Sequence, residues 1–156
     1  MGGVNQRLGE LGIALPDVAA PVAAYVPAVR VGSQVWTSGQ LPFVDGALPV
    51  TGKVGHGDGH VSPEQAVDLA RTATLNALAA VAELAGSLDR VARVIKVVGF
   101  VASDPAFTGQ PTVVNGASEL LGQVFGEAGV HARSAVGVAV LPLDSPVEVE
   151  LVVELR

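Results

Sequence analysis

Two stretches near the C-terminus alternate with the two-residue period of an extended chain. Over residues 147–155, Val147, Val149, Leu151, Val153 and Leu155 fall on one side, and Glu148, Glu150, Val152 and Glu154 fall on the other. Over residues 134–140, Val136, Val138 and Val140 share a side, while Ala135, Gly137 and Ala139 strip the opposite side to small residues. The LPLDSP segment between them reads as a turn, so the pattern predicts an antiparallel hairpin. Further upstream the period lengthens to that of a helix. Ser62, Pro63 and Gln65 form a start signal: a capping hydroxyl, a proline in the first turn where its missing N–H costs nothing, and a glutamine that can reach back. Val67, Ala70, Thr74, Ala77, Leu78, Val81, Leu84 and Ala85 then share one stripe, and Gly86 supplies the stop. A second helix is predicted from about Pro111, with Val114, Ala117, Leu121, Val124, Phe125 and Ala128 on one face and Gly129 at its end.

Between these helices, residues 91–101 are rich in β-branched side chains and read as a strand closed by Asp104 and Pro105. Residues 25–40 read as a hairpin that turns at Gly32 and Ser33, with Val29 and Val31 before the turn and Val35 and Trp36 after it. The glycine-rich stretch 45–60 reads as an exposed loop holding at most a short strand near residues 50–54. The first fifteen residues predict a short appended helix, with Asn5 as cap and Leu8, Leu11 and Ile13 on one side, ending near Pro16. The predicted order is β-β-(β)-α-β-α-β-β, an α+β fold in which two helices cover one face of a single mixed sheet. At 156 residues the chain has the length of one domain, with residues 1–24 as an N-terminal extension and 25–156 as the core.

Composition narrows the chemistry. The apolar runs are interrupted well before the roughly 20 residues that a membrane helix needs, so no membrane partner is expected. The first residues lack a basic segment followed by a continuous apolar stretch, and a cytoplasmic location is the default expectation. The absence of cysteine removes disulfides, thiolate metal sites and thiol nucleophiles. A net charge of −6, with nine scattered Lys and Arg, does not supply the concentrated positive field that nucleic acid requires, and no nucleic-acid partner is expected. One Trp, one Tyr and four Phe leave a core of small and branched aliphatic side chains, which suits burial in an oligomer.

Three segments carry a family resemblance. WTSGQLP at the end of the first hairpin, VVNGASELLGQVFGEAG in the second helix and ARSAVGVAVLPLDSPVEVELV at the C-terminus resemble the Rid family of reactive intermediate deaminases. These YjgF-like proteins are also described as L-PSP-like endoribonucleases. The last segment is the most specific, because Arg, Leu-Pro and Val-Glu-hydrophobic-Glu recur at the family's spacing. The resemblance runs from about Tyr25 to the C-terminus, and residues before it suggest a divergent subgroup. It implies a chorismate-mutase-like fold and a homotrimer with sites between subunits. It also implies hydrolysis of reactive enamines and imines, such as 2-aminoacrylate, to 2-keto acids and ammonia without a cofactor. By position, Arg133 matches the arginine that binds the substrate carboxylate, and Glu148 matches the glutamate that positions or activates water. Tyr25, Ser38, Gly39 and Asn115 match further pocket positions. Ala135 stands where the family often has Cys, which alters pocket shape without removing a group the chemistry requires.

The residue types suit those roles. A guanidinium fork can hold both oxygens of an imino acid's carboxylate, and a carboxylate can take the proton of an attacking water. If Val140 paired with Val147, Glu148 would lie opposite Ala139, six positions and on the order of 20 Å from Arg133. Such a separation predicts a site shared between subunits. His131, just before Arg133, is a further candidate for the cleft lining. His56, Asp58 and His60 form an H-x-D-x-H pattern, but its glycine-rich setting gives no rigid metal scaffold, and no metal is expected. A trimeric carboxylate-binding protein without turnover is the competing reading, motivated by Ala135 and the N-terminal segment. Ribonuclease activity is disfavoured by the acidic charge.

Overall fold

The computed structural model describes residues 2–21 and 23–156. In chain order it contains α1 (Val4–Glu10), β1 (Ala28–Val31), β2 (Gln34–Thr37), α2 (Pro63–Ala85), β3 (Val91–Ala102), α3 (Gln110–Phe125), β4 (Ala132–Val138) and β5 (Val147–Leu155). The helix start at Ser62 folds as the sequence indicates: its hydroxyl accepts the Gln65 backbone N–H at 3.1 Å, and Gly86 ends the helix at φ +85°. The buried face of α2 differs from the expected stripe at one end, since Leu84 is exposed and Ala66, Leu69 and Ala73 are buried instead. In α3 the α-helical turn stops at Phe125 and passes into a 3₁₀ turn over Gly126–Gly129, so Ala128 lies outside the helix. The two helices approach closely at Gly116, where a Cβ would meet the Val67 carbonyl.

Five strands form one mixed sheet in the order β1-β2-β5-β3-β4. β3 and β4 are parallel, as befits strands joined through a crossover helix, and the other pairs are antiparallel. The expected hairpin between the last two strands does not form: β4 and β5 lie on either side of β3. Their connection passes the end of β3, where Ala102 N–H donates to Pro146 O and Ser103 N–H donates to Val138 O, both at 2.9 Å. The proposed pairing of Val140 with Val147 is therefore replaced by two registers on β3, Phe100 opposite Glu148 and Val97 opposite Arg133. The long apolar β3 satisfies both neighbours' backbone groups at once, an option that alternation alone does not distinguish from a hairpin.

Val147, Val149, Leu151, Val153 and Leu155 of β5 are buried, with Val91, Val94, Val97 and Val101 of β3. Register shifts between Val91 and Arg93 and between Val94 and Lys96 let Val91, Val94 and Val97 share the inner face despite their three-residue spacing. Leu78, Leu88, Leu120, Leu121 and Leu151 are among the largest fully buried side chains, each stabilising the fold by about 1.5–3 kcal/mol relative to exposure. The opposite face carries the half-buried Glu148, Glu150 and Glu154 and the more exposed Trp36 and Val136.

The first residues are more than an appendage. Leu8 is buried in the main core, with Leu11, Ile13 and Leu15 packed against it. Asn5 is not the cap, because α1 begins one residue before it. Asp89 instead caps the helix from outside, its Oδ1 accepting the Asn5 backbone N–H at 3.0 Å, while Asn5 Nδ2 donates to Ser87 Oγ at 2.9 Å. The short strand expected near residues 50–54 reduces to isolated bridges from Val54 to Val61 and Ser103. Among the described residues, no helix is long and apolar enough to cross a membrane.

Candidate functional site

The predicted site residues fall into two groups on opposite faces of the sheet. The first is built on β4 and α3. Arg133 sits opposite Val97 and turns its side chain toward α3, where Nη1 donates to Asn115 Oδ1 at 2.8 Å and to Ser118 Oγ at 3.2 Å. Nη2 donates to Pro111 O at 3.3 Å. Among the described residues, three of the five guanidinium hydrogens are thereby used, leaving Nε–H and one Nη2–H as donors. Among the described residues no carboxylate pairs with Arg133, so a half-buried cation is held in place by neutral oxygens alone. Ala135, opposite Gly99 and packed against the core, lies on the same face two residues on.

Pro111, Asn115 and Ser118 are spaced at i, i+4 and i+7, which brings them to one side of α3. The spacing was available in the sequence; the pairing of β4 beside β3, which carries Arg133 to that side, was not. His131 completes the group. Its Nδ1 lies 2.6 Å from Gly129 O and its Nε2 lies 2.9 Å from Ser118 Oγ. A carbonyl can only accept, so Nδ1 bears the hydrogen, and in the neutral ring Nε2 accepts the Ser118 hydroxyl.

The second group gathers where β2 ends and β5 begins. Glu148 emerges on the face away from the helices, between the buried Val147 and Val149. Burial, followed by the nearby Glu150 charge, raises its pKa above the ordinary carboxylate value. Gly39 abuts this side chain so closely that a Cβ there would coincide with the Glu148 carboxylate. Gln40, next along, exchanges backbone hydrogen bonds with Val149, at 2.8 Å from its N–H and 3.0 Å to its carbonyl. The following residues are held by the buried Asn76 of α2, whose Nδ2 donates to Leu41 O at 2.9 Å and to Phe43 O at 3.1 Å. Asn76 escaped the sequence reading because an asparagine on an apolar helix stripe gives no signal of the distant carbonyls it serves.

The Ser38 hydroxyl donates to Val26 O at 2.6 Å and braces the Tyr25 segment. Tyr25 is exposed and lines a small cavity with Pro27, Gly39, Leu41 and, from the preceding segment, Ala19, Ala20 and Pro21.

Arg133 and Glu148 are three residue positions and two strand spacings apart, on the order of 14 Å between Cα atoms at ordinary sheet dimensions. Their side chains also leave opposite faces. One copy of the chain does not bring them to one small molecule. The histidines of the H-x-D-x-H pattern are engaged elsewhere: His60 lies 3.3 Å from Asp104 Oδ2 and 3.2 Å from His56 O, and the His56 ring packs edge-on to Phe107. Among the described residues, no three His, Asp or Glu side chains cluster as a metal site.

Comparison with known proteins places this architecture. Residues 5–155 match the family model described as "YjgF/chorismate mutase-like, putative endoribonuclease", a span that includes most of the segment before Tyr25. Protein TCP17 of Trypanosoma cruzi is 45% identical over 156 residues, covering 99% of this chain and 96% of that protein. The crystal structure of a Shewanella oneidensis protein with the same endoribonuclease description superposes with a TM-score of 0.93 at 36% identity, covering 99% of this chain and 100% of that one. Escherichia coli TdcF, solved with bound serine, superposes with a TM-score of 0.63 at 27% identity, covering 89% of this chain and 93% of its own. The sheet order, the two covering helices and this family match agree: the chain belongs to the YjgF/chorismate mutase-like family.

Proposed function

We propose that the protein hydrolyses reactive enamine and imine intermediates of the 2-aminoacrylate type to 2-keto acids and ammonia, at clefts between the subunits of a homotrimer. The observation that carries this reading is Arg133: a half-buried guanidinium fixed by Asn115, Ser118 and Pro111, without a carboxylate partner among the described residues, and with two N–H donors to spare. Such a fork binds a planar carboxylate in one orientation. A serine, as held by TdcF, carries the carboxylate and nitrogen that an imino acid also presents.

Glu148 supplies the proton chemistry. Water adds to the carbon of the protonated C=N bond while Glu148 takes one of its protons, leaving a neutral carbinolamine. Glu148 returns that proton to the nitrogen, and the C–N bond breaks to release ammonia as the hydroxyl loses its proton to become the keto group. A carboxyl whose pKa burial raises above the ordinary value is better suited to return the proton than an exposed one. Because Arg133 and Glu148 leave opposite faces of one sheet, the site is assembled from the Arg133 half of one subunit and the Glu148 half of the next. Trp36, Val98 and Val152 line a hollow on the uncovered face that gives a neighbouring subunit apolar surface to bury.

The test adds the protein to a dehydratase that generates 2-aminoacrylate and follows 2-keto acid formation. Wild type is expected to accelerate it, and Arg133→Ala to lose at least about 100-fold, two charge-assisted hydrogen bonds at about 1.5–3 kcal/mol each. Equal rates for the two proteins sink the assignment. The second reading, a small-carboxylate-binding protein without turnover, gains from Ser38, whose hydroxyl is spent on Val26 O. It predicts Arg133-dependent binding of pyruvate without ammonia release.

A further inference from the structure

Resting on the carboxylate-binding reading of Arg133, we propose that Ser118 and His131 are positioning residues that set the orientation of its guanidinium. The hydrogen bonds form one directed chain. Gly129 O accepts from His131 Nδ1–H at 2.6 Å, His131 Nε2 accepts from the Ser118 hydroxyl at 2.9 Å, and Ser118 Oγ accepts from Arg133 Nη1 at 3.2 Å. Each link fixes the next. The backbone carbonyl selects the ring tautomer, the ring takes the hydroxyl hydrogen, and the hydroxyl is left to face the guanidinium with its lone pairs.

The consequence falls on Nη1. Asn115 Oδ1 takes one of its hydrogens and Ser118 Oγ the other, so Nη1 is fully committed to protein and the remaining donors belong to Nε and Nη2. These neighbouring nitrogens engage a carboxylate as a pair. Without the Ser118 acceptor, one Nη1 hydrogen seeks a partner and competes for the ligand, and the long side chain regains rotational freedom that binding must then remove. If Ser118 lacked the His131 acceptor, its own hydroxyl hydrogen could rotate toward Arg133 and oppose that contact. His131 thus acts on the ligand through two intermediaries.

The experiment measures pyruvate binding to the full chain by titration calorimetry, with thermal unfolding recorded for every variant. Ser118→Ala and His131→Phe are expected to weaken pyruvate about five- to tenfold. Ser118→Thr keeps the hydroxyl, and His131→Gln places an amide oxygen near the position of Nε2, so both should bind within about twofold of wild type. Wild-type affinity in Ser118→Ala alongside lost affinity in Arg133→Ala overturns this proposal and spares the carboxylate reading. Equal weakening in all four relay variants also overturns it, since that outcome marks general packing. If Arg133→Ala binds pyruvate like wild type, both fail together.

Discussion

Two glycines separate a change in chemistry from a change in stability. At Gly39 an added Cβ would coincide with the Glu148 carboxylate, the free end of a flexible side chain. At Gly116 it would meet the Val67 carbonyl, which is backbone of the neighbouring helix. The obstacles look alike in distance and differ in what can yield. Glu148 can swing aside for about 0.5–1.5 kcal/mol of rotamer cost, whereas the helix pair must part, at about 1–3 kcal/mol or more. For a chain of this size each kcal/mol lowers the melting temperature by about 2–4 °C. Gly39→Ala is therefore expected to melt within about 6 °C of wild type while losing at least about tenfold in 2-keto acid formation, because the displaced carboxylate no longer addresses the water and a positioned base contributes about 10²–10⁴-fold. Gly116→Ala should show the larger fall in melting temperature, because there the obstacle is backbone. Calorimetric melting alongside the dehydratase-coupled assay reads both. Full turnover in Gly39→Ala, or a loss of stability matching that of Gly116→Ala, would refute the claim that Gly39 exists to seat Glu148.

Two other substitutions test the same architecture. A raised folded-state pKa means that Glu148 binds its proton more tightly in the native protein, so its stabilising contribution is complete below the ordinary value of 4.5 and is lost as pH rises through the folded value. Glu148→Gln should consequently melt higher than wild type at neutral pH, with the difference shrinking as pH falls below that range; a gap independent of pH counts against the burial argument. Leu8→Ala removes a buried core side chain from α1 and is expected to cost about 2–5 kcal/mol in denaturant unfolding. A cost below about 0.5 kcal/mol would return the N-terminal segment to the status of an appendage.

Arg133 and Glu148 were named through the resemblance of the C-terminal segment to the Rid family; as single residues they read equally as a surface arginine and the polar half of an alternating strand. Gly39 was named by the resemblance, since SG alone reads as a strand-to-turn transition, and the Glu148 side chain against it depends on β2 lying beside β5. Ser38 was named by the resemblance as well, and only the chain's return past Val26 gives its hydroxyl a backbone acceptor. Ser118 could be placed on a helix face with Asn115, but nothing in the linear chain tied it to His131 and Arg133.

By itself the sequence determined the elements. The Ser62 cap and Gly86 stop define α2, and the alternation of residues 147–155 defines both β5 and its inner face, because capping geometry and side-chain period act over a few neighbouring residues. Only the tertiary structure decided that β3 stands between β4 and β5, that α1 joins the core and that Arg133 and Glu148 face opposite ways. Each of these depends on which distant backbone groups and apolar surfaces are available to pair. An alternating strand offers the same edges to several partners, and the choice among them is made by the burial of the whole sheet.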